Sequence, residues 1–356
     1  MVEWKKLGDV CSFSRGRTIT AKEAVEGSVP VIAGGQTPSY YHNEANRTGE
    51  SITVAGSGAY AGFVAYWNQP IFVSDAFTVD TFGDLLHKYV YHWLKMNQQR
   101  IFDTQKGAGV PHVHGKDIAG FIIPIPSLSE QNRIVGILDT FTASIENLKQ
   151  QIAERRKQYE YYRDQLLDLE GKEGVEMKTL GDVGEICMCK RIMKDQTSDK
   201  GEIPFFKIGT FGGKADAYIA RNLFEEYKNK FSYPKKGDIL ISAAGTIGRS
   251  VVFDGEDAYF QDSNIVWIAN DETLVTNRYL YFFYQIAAWK TDGGTIKRLY
   301  NYNLKNTEIP VPSLEEQSRI ISILDTFEAS IQNLEAQLKE REKQYEYYRN
   351  KLLTFE

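Results

Sequence analysis

The sequence predicts two mixed α/β (α+β) globular domains joined by two long antiparallel helices that form a coiled coil, a dumbbell with approximate two-fold symmetry. Three observations predict it. A long segment that ends the first half returns nearly unchanged at the end of the second. Within that segment the apolar residues recur every 3.5 positions, the coiled-coil period. The stretches before each copy differ in sequence, yet both alternate short strand-like runs with Gly-rich turns.

The repeat comes first, because it sets the domain count. Residues 123–170 begin IPIPSLSEQNRIVGILDTF and residues 309–356 begin IPVPSLEEQSRIISILDTF; the two align without a gap, and about two-thirds of their positions are identical. A shorter echo opens each half, where Leu7-Gly8-Asp9-Val10 returns as Leu180-Gly181-Asp182-Val183. The expected division is a first domain at 1–126, a helix at 127–170, a linker at 171–176, a second domain at 177–312 and a second helix at 313–356.

Each constant segment reads as a helix with a seam. Ile134, Leu138, Phe141, Ile145, Leu148, Ile152, Tyr159, Tyr162 and Leu166 fall on it in the first copy, with Arg155 at one seam position. Ile320, Leu324, Phe327, Ile331, Leu334, Leu338, Tyr345, Tyr348 and Leu352 repeat the register, with Arg341 in place of Arg155. Polar seam residues usually fix register and partner choice. Ser127 with Glu130, and Ser313 with Glu316, have the spacing of capping boxes. A Pro-x-Pro lead-in keeps the preceding chain extended. Gly171 and Gly174 suit a stop. A helix of about 40 residues is about 60 Å long, and its apolar stripe must be buried, best against the other copy. The linker reaches at most about 20 Å. The second domain therefore starts near the far end of the first helix, and the second helix runs back.

In the first domain Ser51–Ala55, Gly62–Tyr66 and Ala76–Val79 read as strands and His87–Phe102 as a helix. In the second, Asp238–Ser242, Ser250–Phe253 and Asn264–Ile268 read as strands and Arg278–Lys290 as a helix.

Composition narrows the function classes. The 356 residues carry 42 Lys+Arg and 47 Asp+Glu, net −5, which is not the overall charge of a strongly basic nucleic-acid binder. The charge is unevenly placed, however. The helices carry −2 and −3 and the linker −1, while residues 1–122 are neutral and 177–308 carry +1. Local cations can still gather on one face of each domain. No apolar run approaches the roughly 18 residues of a membrane span, and Met1-Val2-Glu3-Trp4-Lys5 does not open like a signal peptide. Cys11, Cys187 and Cys189 cannot make a disulfide framework, so a reducing cytoplasm is expected.

The candidate binding residues lie in loops. In the first domain they are Arg15 and Arg17; Gln36, Thr37, Tyr40, Tyr41 and His42 after Gly34-Gly35; and Lys106, His112, His114 and Lys116 in a Gly-rich loop. In the second they are Lys190, Arg191 and Lys194; Lys207; Thr246 and Arg249; and Lys297, Arg298, Tyr300, Asn301, Tyr302 and Asn303. Gln and Asn can read adenine bidentately, and Arg or Lys can read guanine. Any one such loop is more often a plain solvated surface. The signal is that both domains carry one at the corresponding place, just before the long helix.

Enzyme signatures are missing. There is no GxxxxGK[ST] phosphate loop, no Asn/Asp-Pro-Pro-aromatic methyltransferase tetrapeptide and no Pro-Asp…Glu-x-Lys nuclease pattern. His112-x-His114 lacks a supporting third ligand, so no metal site is expected. All five histidines lie in the first half, so a duplicated catalytic histidine is excluded.

The constant motif Pro-x-Pro-Ser-Leu-x-Glu-Gln-x-Arg-Ile followed by Ile-Leu-Asp resembles the helical conserved regions of Type I restriction–modification specificity subunits. The domains resemble that family's target-recognition domains through Val29-Pro30-Val31, Gly34-Gly35, Gly58-Ala59-Tyr60-Ala61-Gly62-Phe63-Val64 and Ser74-Asp75-Ala76. In the second domain the matching pieces are Ile203-Pro204-Phe205, Gly245-Thr246-Ile247-Gly248 and Gln261-Asp262-Ser263. The resemblance implies a non-catalytic subunit that reads a bipartite site on double-stranded DNA, one half per domain, with the coiled coil setting the spacer. It implies two methyltransferase (modification) subunits as partners, and restriction subunits where the system carries them. S-adenosylmethionine, ATP and Mg are expected on those partners only, and no cofactor on this chain. The competing reading is a coiled-coil scaffold whose domains bind protein or glycan.

Overall fold

The computed structural model describes residues 2–294 and 297–355; Met1 and Glu356, at the ends of the expected first domain and second helix, and Thr295 and Ile296 of the expected second domain lie outside the described residues. The chain divides into two compact units. The first comprises Met1–Gln151 with Leu334–Glu356, and the second comprises Ile152–Asn333.

In the first unit a four-stranded antiparallel sheet is ordered Cys11–Arg15, Ala76–Thr81, Glu50–Ala55, Val64–Asn68. Beside it a three-stranded sheet is ordered Tyr40–His42, Val29–Ile32, Phe72–Val73. The second unit repeats both. Its larger sheet is Gly184–Met188, Ile265–Asn270, Ile239–Ser242, Ser250–Val252, and its smaller one Ala217–Ile219, Ile203–Phe206, Tyr259–Phe260. Taken in chain order the strands pair identically, although the two stretches of sequence barely match. Into this pattern the second unit inserts a helix at Arg221–Lys230, which seats Phe224 among the aromatic residues of the smaller sheet.

The Leu-Gly-Asp-Val echo is one helical turn in each unit, and its leucines Leu7 and Leu180 are fully buried. The Pro-x-Pro lead-ins are strands. Ile122–Ile125 pairs with Glu3–Lys6, and Glu308–Val311 with Glu176–Thr179, so the start and finish of each domain are zipped together beside the long helix.

Both expected domain helices are shorter than their sequence suggests. The first is His87–Met96, broken at Asn97 before Gln98–Phe102. The Asn97 amide donates to the Trp93 carbonyl at 2.9 Å, competing for a backbone acceptor. Gln98 turns away to bond Val64 N–H and the Gly62 carbonyl. The second is Asn277–Tyr284, not 278–290. Its continuation leaves the helix, and Trp289 packs on Tyr284 and on Gly248, where a Cβ would lie 2.2 Å from the indole nitrogen.

The long helices are Leu128–Leu167 and Leu314–Leu353, 40 residues each. The first ends ahead of Gly171 and Gly174, both at positive φ. Their capping boxes are half made. Ser127 and Ser313 accept the Glu130 and Glu316 N–H groups, but those carboxylates turn forward to Arg133 and Arg319. A guanidinium fork three residues on outcompetes a backbone N–H for the carboxylate.

Each unit shows the antiparallel sense of these helices on its own. In the first, Leu353 is buried with Ile134 and Leu138, and Tyr348 stacks on Phe141 at 5.3 Å. In the second, Leu167 is buried with Ile320 and Leu324, and Tyr162 stacks on Phe327 at 5.4 Å. The seam arginines lie over the same rings, Arg341 at 5.7 Å from the Phe141 centroid and Arg155 at 5.8 Å from that of Phe327. Replacing either arginine by alanine is expected to cost about 0.5–1 kcal/mol of stability, read as a small fall in the thermal midpoint. An unchanged midpoint would show that the guanidinium does nothing over the ring.

Candidate nucleic-acid interface

Strand order places the candidate loops together. In the first unit Arg15 ends its strand opposite Phe77, Ala55 ends opposite Ala76, and Val64 begins opposite Val54. The loops after Arg15, after Ala55 and before Ala76 thus share one end of the larger sheet. A hydrogen bond from Val113 N–H to the Gly56 carbonyl, 3.0 Å, brings the 106–114 loop there too. The turn after Ile32 joins them, since the Ser57 carbonyl oxygen lies 2.3 Å from where a Cβ on Gly34 would sit. The long helix attaches toward the opposite end, where Gln131 accepts the N–H of Leu86.

The second unit repeats the arrangement. Met188 ends opposite Val266, Ser242 opposite Ile265, and Ser250 begins opposite Ile241. The Leu299 N–H donates to the Ala243 carbonyl at 2.9 Å, and the Gln261 N–H to the Phe206 carbonyl at 2.9 Å. Loops 189–194, 243–249, 261–264 and 297–299, and the turn after Phe206, therefore converge.

Within the first cluster Arg15, His112 and His114 line a cavity of about 180 Å³ with Asp75. The two imidazoles are exposed and stacked at 6.3 Å. Lys106 pairs with Asp117 at 2.6 Å and its backbone bridges His112, which makes the loop a tight hairpin; Lys116 is exposed beyond it. Arg17 lies over the Phe72 ring at 5.1 Å. Gln36, Thr37 and Tyr41 face solvent. Tyr40 and His42 are engaged inside the unit. The Tyr40 hydroxyl donates to the Ile19 carbonyl, and His42, only 5% exposed, accepts the Val25 N–H at 3.0 Å. His42 thus fastens the 19–25 segment rather than facing a ligand.

In the second cluster Arg191, Lys194, Lys207 and Arg298 line a groove of about 570 Å³ with Gln261 and Asp262. Arg191 pairs with Asp262 at 2.9 Å and Lys207 with Asp216 at 2.8 Å. Arg298 donates to both the carbonyl and the hydroxyl of Ser263, at 2.8 and 2.9 Å. On the adjoining loop Thr246 is exposed, and Arg249 is anchored to the Phe211 carbonyl at 2.9 Å. Lys190 stands apart, over the Phe231 ring. The 297–305 run divides. Lys297 and the Tyr300 ring are exposed, and Tyr300 stacks on Tyr302 at 6.0 Å. Asn301 and Tyr302 line a different cleft with Gly181 and Lys305. Tyr302 and Asn303 bond Asp292, which holds that carboxyl below its ordinary value.

Asp75, Gln261, Asp262 and Ser263 organise these clusters, yet in the sequence they stand out only through the family resemblance, because basic composition passes over them. Tyr60, on the Gly58–Gly62 turn that Gly58 N–H ties to the Pro111 carbonyl, is 46% exposed. Cysteine chemistry is remote from the clusters' needs: Cys11 and Cys189 are buried, and burial pushes both thiols up to about 12. Among the described residues no group of three His, Cys, Asp or Glu could hold a metal ion, and no helix is long and apolar enough to cross a membrane.

The family model for the Type I restriction modification DNA specificity domain matches residues 1–155 and again 172–342. The chain is 45% identical to a putative type I restriction enzyme specificity subunit of Haemophilus influenzae, covering 99% of this chain and 96% of that one. It is 29% identical to the EcoR124I/EcoR124II specificity subunit of Escherichia coli, covering 99% and 94%. Its fold matches the crystal structure of the Type I restriction–modification S subunit from M. genitalium, with TM-score 0.67 at 18% identity, over 100% of this chain and 97% of that one. With the same pair of sheets built twice on antiparallel helices, and a family match spanning both halves, the chain belongs to the Type I restriction–modification DNA specificity subunits.

Proposed function

We propose that each unit reads one half of a split, asymmetric site on double-stranded DNA through its loop cluster, and that the paired helices set the unread spacer. The chain itself performs no chemistry. It brings two methyltransferase subunits to the site, with restriction subunits where the system has them, and S-adenosylmethionine, ATP and Mg act on those partners. One observation carries this reading: the same loops gather at the same end of the same sheet in both units, while their side chains differ. A duplicated scaffold with divergent contact residues is what two readers of different bases require. Readers on one side of B-DNA want centres about 34 Å apart, and a continuous 40-residue helix, about 60 Å long, exceeds that spacing. The cations supply phosphate attraction that the net charge hides.

The test is to exchange residues 177–312 for those of a relative and map methylated adenines in cells that carry the methyltransferase. One half of the recognised site is expected to change while the other half and the spacer stay. Change in both halves would overturn the modular reading.

A further inference from the structure

We propose that Arg191 and Arg298 are the specificity-determining pair of the second unit, and that the half-site this unit reads contains guanine. The inference rests on the DNA-reading function proposed above and names what one of its two readers recognises. The two arginines come from loops far apart in sequence but are braced by adjacent residues of a single turn. Asp262 holds the Nε of Arg191 at 2.9 Å, and Ser263 holds Nη2 of Arg298 through its carbonyl and its hydroxyl. Ser263 keeps a left-handed backbone, φ 50°, in doing so. That conformation is uncommon for a residue with a side chain, and here it places both Ser263 acceptors on one guanidinium.

Bracing on one edge leaves the rest of each guanidinium for a ligand. Arg191 engages Asp262 through Nε, leaving its two terminal nitrogens as a parallel end-on pair; Arg298 gives Nη2 to both Ser263 acceptors, leaving Nε–H and Nη1–H on different edges as single donors. The Arg191 side chain is 66% exposed, and both line the same groove. A guanidinium fixed by a second group loses little freedom on binding; the free terminal pair of Arg191 matches the O6 and N7 acceptors of guanine in the major groove, and Arg298 adds a single fixed N–H donor to one such acceptor. Lysines in and around the groove lack this planar geometry; Lys194 and Lys297 are exposed point charges suited to phosphate. Among the described residues the first unit offers no such pair. Arg17 lies over an aromatic ring, 4.0 Å from Glu44, and Arg15 has no ion-pair partner among the described residues. Guanine recognition of this kind is therefore assigned to the second unit's half-site alone.

The experiment uses the full chain assembled with its methyltransferase subunits and a duplex library randomised across both half-sites, with the 177–312 exchange identifying which half belongs to the second unit. Selected wild-type sites are expected to carry guanine in that half. Arg191→Lys keeps the charge but loses the fork, and Arg298→Lys keeps the charge but loses the fixed donor. Arg191→Lys should relax one guanine position by about 10- to 100-fold and Arg298→Lys should relax guanine preference by less, with the other half-site and the salt dependence unchanged. Lys194→Gln and Lys297→Gln should each lower the salt slope by about one while leaving the selected sequence intact. Thermal midpoints of all four variants should match the wild type. A second half without guanine, or guanine preference that survives in both lysine variants, overturns this inference and leaves the DNA-reading function standing. No selected sequence at all from the assembled wild type would instead overturn that function.

Discussion

Replacing Gln317 with leucine is expected to lower the stability of the chain by about 2–4 kcal/mol, read as a fall in the urea midpoint with no change of slope. The side chain is fully buried in the first turn of the second long helix. Its carbonyl accepts the Thr276 N–H at 2.9 Å, and its amide donates to the carbonyls of Leu274 and Pro312, each at 3.0 Å. It thus ties the long helix to three backbone groups, one in its lead-in and two at the start of the domain helix. Leucine has nearly the same volume and would leave all three unpaired, the Pro312 carbonyl in a buried position, which is the expensive half of the hydrogen-bond balance. Gln131 is the copy in the first unit. It accepts the Leu86 N–H and donates to the Pro126 carbonyl, both at 3.0 Å. With one backbone partner fewer, Gln131→Leu should cost less, about 1–3 kcal/mol. A loss below about 1 kcal/mol for Gln317→Leu would mean that water can enter and replace the clamp.

That clamp marks a limit of what sequence could show. A glutamine in the first turn of a helix reads as a solvated residue, because nothing in its neighbours says that another helix will be laid across it. The long helices were legible for the opposite reason. A 3.5-residue stripe such as Ile134, Leu138, Phe141, Ile145 states both the element and its need for a partner, and the short linker states the direction. The domains were legible in class but not in topology. Many of their strands are two to five residues long, as at Phe72–Val73 and Tyr259–Phe260, too short for period two to register. The common strand order of the two units emerges only from pairing. For the interface, the basic loops could be picked out, and the structure draws Arg191, Lys194, Lys207 and Arg298 around one groove. The residues that brace them are acidic or small, so a search for positive charge cannot reach them. His42 failed in the other direction: its polar neighbours suggested a surface turn, but its edge-on contact with Phe72 belongs to the core.

Acid is expected to weaken the first unit through His92, with stability falling as the pH drops below about 6.5. His92 is fully buried between the two long helices, its Nε2 3.0 Å from Asp139 and its Nδ1 3.1 Å from the Tyr345 hydroxyl. The arrangement suits a neutral ring that donates to the carboxylate and accepts from the phenol. Burial pushes its pKa down, and the Asp139 hydrogen bond only partly opposes that; Lys88 and Arg349 add to the depression, while the Tyr91 ring packs alongside. Burial alone would raise the Asp139 carboxyl, but hydrogen bonds from His92 and Lys88 outweigh it and hold it below its ordinary value. The signs then separate by pH. As pH falls from 7, the unfolded chain protonates His92 first, so stability drops by up to about 1.4 kcal/mol per pH unit. The contribution of Asp139 persists through this window and is lost only at lower pH, below its ordinary value of about 4. His92→Gln should flatten the slope between pH 7 and 5, whereas Asp139→Ala should cost about 2 kcal/mol at pH 7 by leaving Lys88 and His92 without their acceptor. The second unit supplies the internal control. Tyr279 donates to the Pro310 carbonyl as Tyr89 does to that of Pro124, which sets Phe282 at the position of His92 and the Arg278 pairs with Asp325 and Glu328 at that of Lys88. A ring without a titrating nitrogen cannot produce the slope, so hydrogen exchange followed from pH 7 to 5 should loosen the first unit's core amides before those of the second. Equal loosening in both units would remove His92 as the cause.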